Sequence, residues 1–356
     1  MRAAVLTEYG EPLEIREVDD PEPEPDGVVV RTEACGICRS DWHAWQGDWD
    51  WLRAQAPIGQ VLGHEPAGVV EAVGEDVTNL SEGDRVAVPF NLSDGTCHAC
   101  RVGNSNVCEN LIPLGFVESA PGAFAEAFHA PRADQNLVHL PEEVSFVDMA
   151  ALGCRFVTAF HALSHRAEVS AGDWVAVHGC GGVGLSAVHI ADALGANVVA
   201  VDIDDEKLER ATDLGADETV NAAEVDRVPR AIRSAVGREM DVAVDALGIK
   251  ETCRNAVGSL GRRGVHVQIG LTTETERGEI PLPTDVIVMK EIDFVGSYGM
   301  QPPRYDEILR MIDRGKLGPG RVVSETVSLS EVSDRLDGMS DYAGVGISVV
   351  DDFGGS

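Results

Sequence analysis

The stretch VHGCGGVGLSAV, residues 177–188, restricts the fold more than any other part of the chain. Gly179, Gly181 and Gly184 stand in G-x-G-x-x-G register, with Gly182 and Val183 inside the same turn. The apolar run DWVAVHG leads into them, and GLSAVHIADALGA follows with helical spacing and a closing glycine. NVVAVDI then reads as a second strand and ends on Asp202, 18 residues after Gly184. A strand, a glycine turn and a helix at this spacing aim backbone N–H groups and the helix N-terminus at a pyrophosphate. Asp202 is placed to accept hydrogen bonds from both adenosine ribose hydroxyls and to repel a 2′-phosphate. NAD is therefore expected over NADP, although molar salt would blunt that charge discrimination.

Around this motif, strands and helices alternate: DEKLERATDLGA reads as a helix, MDVAVDALG and RGVHVQIG as later strands. That order predicts βαβ units and a parallel sheet over residues 156–295. Residues 1–155 read differently, as short strands such as GVVVRTEACGI, AGVVEAVG and DRVAVPF, separated by Gly and Pro, and predict a β-rich domain. Residues 296–356 carry an amphipathic helix, PPRYDEILRMIDRGKL, and GISVV, a strand expected to return to the first domain. With 356 residues, two domains are expected, of α/β class as a whole.

Charge narrows the partners. Lys and Arg number 28 against 60 Asp and Glu, a net charge of −32, and only Lys207, Lys250, Lys290 and Lys316 are lysines. A field of that sign repels nucleic acid and anionic membranes. Acids replacing lysine along the whole chain also predict a protein built for molar salt, where the Debye length is ~3 Å. No apolar run reaches the roughly 18–20 residues of a membrane helix, and no signal-peptide core opens the chain, so a cytoplasmic location is expected. Eight unevenly placed cysteines in such a compartment point to metal rather than to a disulfide framework.

The residues suited to chemistry fall in four groups. CGICRSDWH holds Cys38, Arg39, Ser40, Asp41 and His43; LGHEPAGVV holds His64 and Glu65; LGCRFVTAF holds Cys154 and Thr158; and DGTCHACRVGNSNVC holds three cysteines within 12 positions. Thiolate and imidazole suit zinc, and three protein ligands leave a fourth position open for a reacting oxygen. Spacing alone cannot join residues so distant into one site.

Several of these motifs coincide with those of one family. The chain resembles the zinc-dependent medium-chain alcohol dehydrogenases over essentially its whole length. The match includes His64-Glu65 followed by Gly68, Gly74 and Val77 at the G-H-E-x(2)-G-x(5)-G-x(2)-V spacing, Cys38-Arg39-Ser40 with His43, the cysteine lobe, GCRFVTAF and the later glycines, all in order. The resemblance implies a GroES-like β-rich catalytic domain (1–155 with 296–356), a Rossmann domain (156–295), and an active site in the cleft between them. It implies that Cys38, His64 and Cys154 hold a catalytic zinc, with Asp41 fixing the second ring nitrogen of His64 and Glu65 beside the metal, binding it transiently during ligand exchange. Ser40 and His43 take the proton-relay positions, Arg39 reaches the pyrophosphate, Thr158 meets the nicotinamide carboxamide and Lys207 the adenosine ribose. Trp49 and Phe90 fall where aromatic side chains line the substrate pocket, which favours primary alcohols oxidised to aldehydes, and some secondary ones oxidised to ketones. Sugar or polyol oxidation on the same zinc frame is the alternative; the zinc-free quinone reductase branch and a non-catalytic role both fit the zinc-ligand residues poorly. Homodimers and homotetramers both occur in such folds, and the strand near DFVGSYG is the expected contact.

In relatives with a second lobe, four cysteines bind a structural zinc at spacings of two, two and seven. Here Cys97, Cys100 and Cys108 keep the last two spacings, and Asp94 stands where the first cysteine would be. A carboxylate oxygen can ligate zinc, so Asp94 is expected as fourth ligand. His98 is the other candidate, but it directly follows Cys97, and adjacent residues rarely both reach one tetrahedral centre.

Overall fold

Val28–Ile37, the strand of GVVVRTEACGI, is buried along nearly its whole length and organises the first part of the molecule. One edge pairs antiparallel with Glu65–Val73; the other pairs first with Ala127–Ala130 and then, through Cys35–Ile37, with Ile347–Asp352. GISVV therefore closes on the strand that leads to Cys38. Register matters at its end: Gly36 lies opposite Glu65, which brings Cys38 and His64 to neighbouring strand ends. Arg85–Ala87, Val138–His139 and Val323–Ser328 complete the sheet. Phe124, Phe128, Ile37 and Leu62 fill its core with side chains wholly removed from water.

In the computed structural model, residues 1–342 and 344–354 are described. They form two units. The first is Met1–Val157 with Gly299–Met311 and Gly318–Ser356; the second is Thr158–Tyr298 with Ile312–Leu317. The second unit is built on six parallel strands in the order Glu218–Asn221, Asn197–Asp202, Trp174–His178, Met240–Asp245, Leu260–Gln268, Asp293–Gly296. That order, 3-2-1-4-5-6 by sequence, is the doubly wound arrangement with its reversal beside Trp174–His178. Val175, Ala176, Val177, Val198, Val199 and Ala200 are fully buried, as strands covered on both faces must be.

The sequence shows no apolar run of membrane length, but the helical turns over Phe146–Arg166, kinked at Gly153, are together long and apolar enough by composition. Buried protein accounts for 72% of that stretch, which makes it a core helix.

His178 ends the central strand and is 1% exposed. Burial, with His266 adding, pushes its imidazole down to about 3. An unfolded chain takes up this proton near pH 6.5, so stability is lost as pH falls from there toward 3. At pH 5 this one group should cost roughly 2 kcal/mol relative to pH 7.5. Urea unfolding at the two pH values should show that loss, and a His178→Leu variant should show a visibly shallower pH dependence.

Candidate functional site

Cys38 directly follows the strand Val28–Ile37 and caps the helix Arg39–Gln46. The Cys38 backbone N–H donates to Asp41 Oδ2 at 2.9 Å, which ties the helix start to the strand end. Asp41 Oδ1 accepts from Gly63 N at 3.1 Å and from His64 Nδ1 at 2.8 Å. A carboxylate only accepts, so a proton sits on His64 Nδ1, and Nε2 is the ring nitrogen left to meet a metal. Nε2 is buried and has no hydrogen-bond partner among the described residues. Asp41 and His64 are both essentially inaccessible to water.

Cys154 arrives from the helix Phe146–Arg166, at a π-helical turn spanning Leu152–Phe156. Such turns recur at functional sites because they displace one residue from the helical ladder. Donor atoms of Cys38, His64, Glu65 and Cys154 all lie within 4.8 Å of one another. A hydrogen bond from the Cys154 thiol, with Arg155 and His64 adding, holds the Cys38 thiol well below its usual range against the opposing effect of burial. Two sulfurs and an orphaned imidazole nitrogen converging within 4.8 Å fit a zinc ion.

Around this set stand residues that the sequence named, Arg39, Ser40, His43, Trp49 and Phe90, and three that it did not, Arg155, Phe116 and Asp48. Arg155 is buried and forms an ion pair with Glu65. Phe116 packs its ring 4.9 Å from His64, closer than Phe90 at 5.8 Å. Trp49 stacks on His43 at 5.0 Å and lies 6.0 Å from Phe116. His43 Nδ1 bonds Asp48 Oδ2 at 2.7 Å. Ser40 is half-buried on the first turn of the helix. The Arg39 guanidinium lies 4.2 Å from the centres of both the Trp42 and Tyr342 rings and donates to Met339 O at 2.8 Å. Of Arg155, Phe116 and Asp48, only Arg155 carried a signal in the sequence, through its adjacency to Cys154.

The second cluster brings Asp94, Cys97, Cys100 and Cys108 within 4.8 Å of one another, without His98. Cys97 Sγ is 3.5 Å from Cys100 Sγ and 3.8 Å from Cys108 Sγ. Asp94 Oδ1 accepts from Thr96 N and Cys97 N, and Oδ2 from Asn110 Nδ2 at 2.6 Å. These donors, that of Asn110 foremost, hold its carboxyl well below the usual range. The lobe thus presents an ionised carboxylate beside three sulfurs.

In the second unit, Gly179 has φ +90°, and its N–H donates to Val201 O at 2.8 Å. A Cβ on Gly184 would stand 1.7 Å from Gly179 O, so the helix Gly182–Ala193 starts against bare backbone. Asp202 Oδ2 accepts from Cys180 N at 2.6 Å, and Oδ1 from Ile203 N and Asp204 N. The carboxylate is thus held facing the glycine turn. Lys207 is buried on the next helix, Asp205–Asp213; Thr158 is buried too, its carbonyl accepting from Ser297 Oγ at 3.1 Å.

A soft-metal set in one unit and a dinucleotide turn in the other are the parts of a metal-dependent dehydrogenase. Comparisons with known proteins agree. Residues 24–142 match the alcohol dehydrogenase GroES-like domain and 182–314 the zinc-binding dehydrogenase domain. An alcohol dehydrogenase of Geobacillus stearothermophilus is 37% identical over 95% of this chain and 96% of its own. An NAD-dependent alcohol dehydrogenase of Sulfurisphaera tokodaii is 32% identical over 98% and 99%. The solved alcohol dehydrogenase of Aeropyrum pernix superposes with a TM-score of 0.87 at 34% identity, covering 98% of this chain and 99% of that one. The chain belongs to the zinc-dependent medium-chain alcohol dehydrogenase family.

Proposed function

We propose that this protein oxidises alcohols reversibly to aldehydes or ketones with hydride transfer to NAD, using zinc held by Cys38, His64 and Cys154. The observation that carries this reading is His64 Nε2, buried and unpartnered beside two cysteine sulfurs. Bound there, zinc supplies Lewis acidity that makes an alcohol hydroxyl a readier proton donor. Asp41 holds His64 in the ligating tautomer. Phe116 and Phe90 shield the imidazole from water, and Trp49 with Phe90 supplies apolar walls for an unbranched alcohol. Ser40 passes the proton onward and His43 receives it at Nε2, because Asp48 occupies Nδ1. Arg39 engages the pyrophosphate. Gly179, Gly181, Gly182, Val183 and Gly184 cradle the cofactor, Asp202 and Lys207 take its adenosine ribose, and Thr158 its carboxamide.

Asp94, Cys97, Cys100 and Cys108 hold a second, structural zinc. Two zinc ions per chain are expected by metal analysis, falling to one in Asp94→Ala with NADH binding retained; one zinc in the intact protein would contradict this assignment. Eight free cysteines support a cytoplasmic enzyme. The open edge strand Asp293–Gly296, with Phe294 and Tyr298 exposed beside it, supports a homodimer or homotetramer. The net charge of −32 supports operation in molar salt. NADH formation from NAD over a panel of alcohols and polyols, in dilute buffer and in molar salt, tests the reading. Turnover of primary alcohols, strongest at high salt, is expected; no alcohol-dependent reduction of NAD would refute it.

A further inference from the structure

Glu65 raises a question that its neighbours answer. Its carboxylate is within 4.8 Å of all three proposed zinc-ligand atoms, near enough to share an ion with them. A carboxylate added to Cys38, His64 and Cys154 would stand as a fifth donor beside the exchangeable ligand and end the open tetrahedral set. Yet every donor around Glu65 draws it elsewhere. Oε1 accepts from Cys154 N at 2.9 Å, Arg155 N at 3.1 Å and Arg155 Nε at 3.1 Å, while Oε2 accepts from Arg155 Nη2. Two glycines shape the seat. A Cβ on Gly36 would lie 2.3 Å from Glu65 Oε2, and one on Gly153 would lie 2.4 Å from Glu65 Cβ. Gly153 also departs from helical φ/ψ, at the turn that presents the next two N–H groups to Glu65. Charge points the same way: two thiolates and a carboxylate would outweigh a divalent ion, and the buried guanidinium restores the balance.

We infer that Arg155 is a positioning residue that holds Glu65 off the metal in the resting site, so that Cys38, His64 and Cys154 remain an open three-residue set and Glu65 reaches the metal only transiently, during ligand exchange. The inference rests on the zinc assignment above. Arg155 and Glu65 act through the ligand sphere and touch neither substrate nor cofactor in this account.

Cobalt(II) substitution reports the ligand sphere directly through the intensity of its visible d–d bands, which falls as four-coordinate cobalt gains a fifth ligand. The contribution of the 94–108 lobe is removed by subtracting the spectrum of a Cys38→Ser protein. In the difference spectrum, Arg155→Met should lose d–d intensity as Glu65 joins the metal, and Glu65→Gln/Arg155→Met should regain it. Glu65→Gln alone should leave the bands of the otherwise intact protein unchanged, which keeps the test decisive should Arg155→Met fail to fold. Wild-type bands in Arg155→Met, or altered bands in Glu65→Gln, would overturn the inference. Absence of any thiolate–cobalt band in the wild-type difference spectrum would instead overturn the zinc assignment, so the two failures are distinguishable.

Discussion

Arg155→Met is expected to lower the unfolding free energy by about 3–5 kcal/mol, the usual cost of removing one partner from a buried ion pair. Glu65 is fully buried and Arg155 nearly so, so water cannot replace the lost guanidinium. The carboxylate would keep its two backbone donors, from Cys154 and Arg155, but lose both side-chain donors. The loss should be coupled rather than additive. Glu65→Gln/Arg155→Met removes both charges while the amide oxygen can still accept from those two N–H groups, so the double variant should recover most of the deficit. Urea unfolding of the two single variants and the double closes the cycle. A cost below about 1 kcal/mol for Arg155→Met would mean that the pair behaves like a surface ion pair.

Gly184→Ala is expected to weaken NADH binding by at least about tenfold, equivalent to roughly 1.4 kcal/mol. The methyl group would be forced to within 1.7 Å of Gly179 O, and both contact partners are backbone. Neither can rotate away, so the helix Gly182–Ala193 must move off the strand Trp174–His178. That motion displaces the N–H groups at the helix start and disturbs the Cys180–Asp202 contact that faces the turn. Gly181 serves as a control, because a Cβ there would meet nothing within 4 Å. Fluorescence titration with NADH should therefore separate Gly184→Ala from Gly181→Ala, with the larger loss in the former. Equal losses would show that ligand approach, rather than helix–strand packing, decides the glycine requirement.

What the sequence revealed, it revealed through local pattern. Val175–Val177 and Val198–Ala200 form unbroken apolar runs because both faces of their sheet are covered, and the glycines interrupt them at the turn. Cys38, His64 and Cys154 were legible only through the motifs the chain shares with the zinc-dependent alcohol dehydrogenases, and the Asp94 lobe through its intervals of two, two and seven. Long-range placement was not legible. Arg155 follows a ligand cysteine on an apolar helix and could as well have faced solvent; only the register of Gly36 against Glu65 makes it a buried partner. Phe116 lies 52 positions beyond His64, with no period linking the two, yet it is the nearer ring to that imidazole. The hold of Asp48 on His43 depends on the chain turning back after the short helix Arg39–Gln46, which no spacing rule encodes. Ile312–Leu317 likewise sits with the second unit although residues on either side of it belong to the first.

Whether zinc at Cys38, His64 and Cys154 drives NAD-linked alcohol oxidation is decided by one comparison. Alcohol-dependent NADH formation and NADH binding are measured side by side in the intact protein and in Cys38→Ser. Robust turnover is expected in the first, none in the second, and the same NADH affinity in both, because Cys38 lies in the unit without the glycine turn. Normal turnover by Cys38→Ser would contradict the zinc assignment.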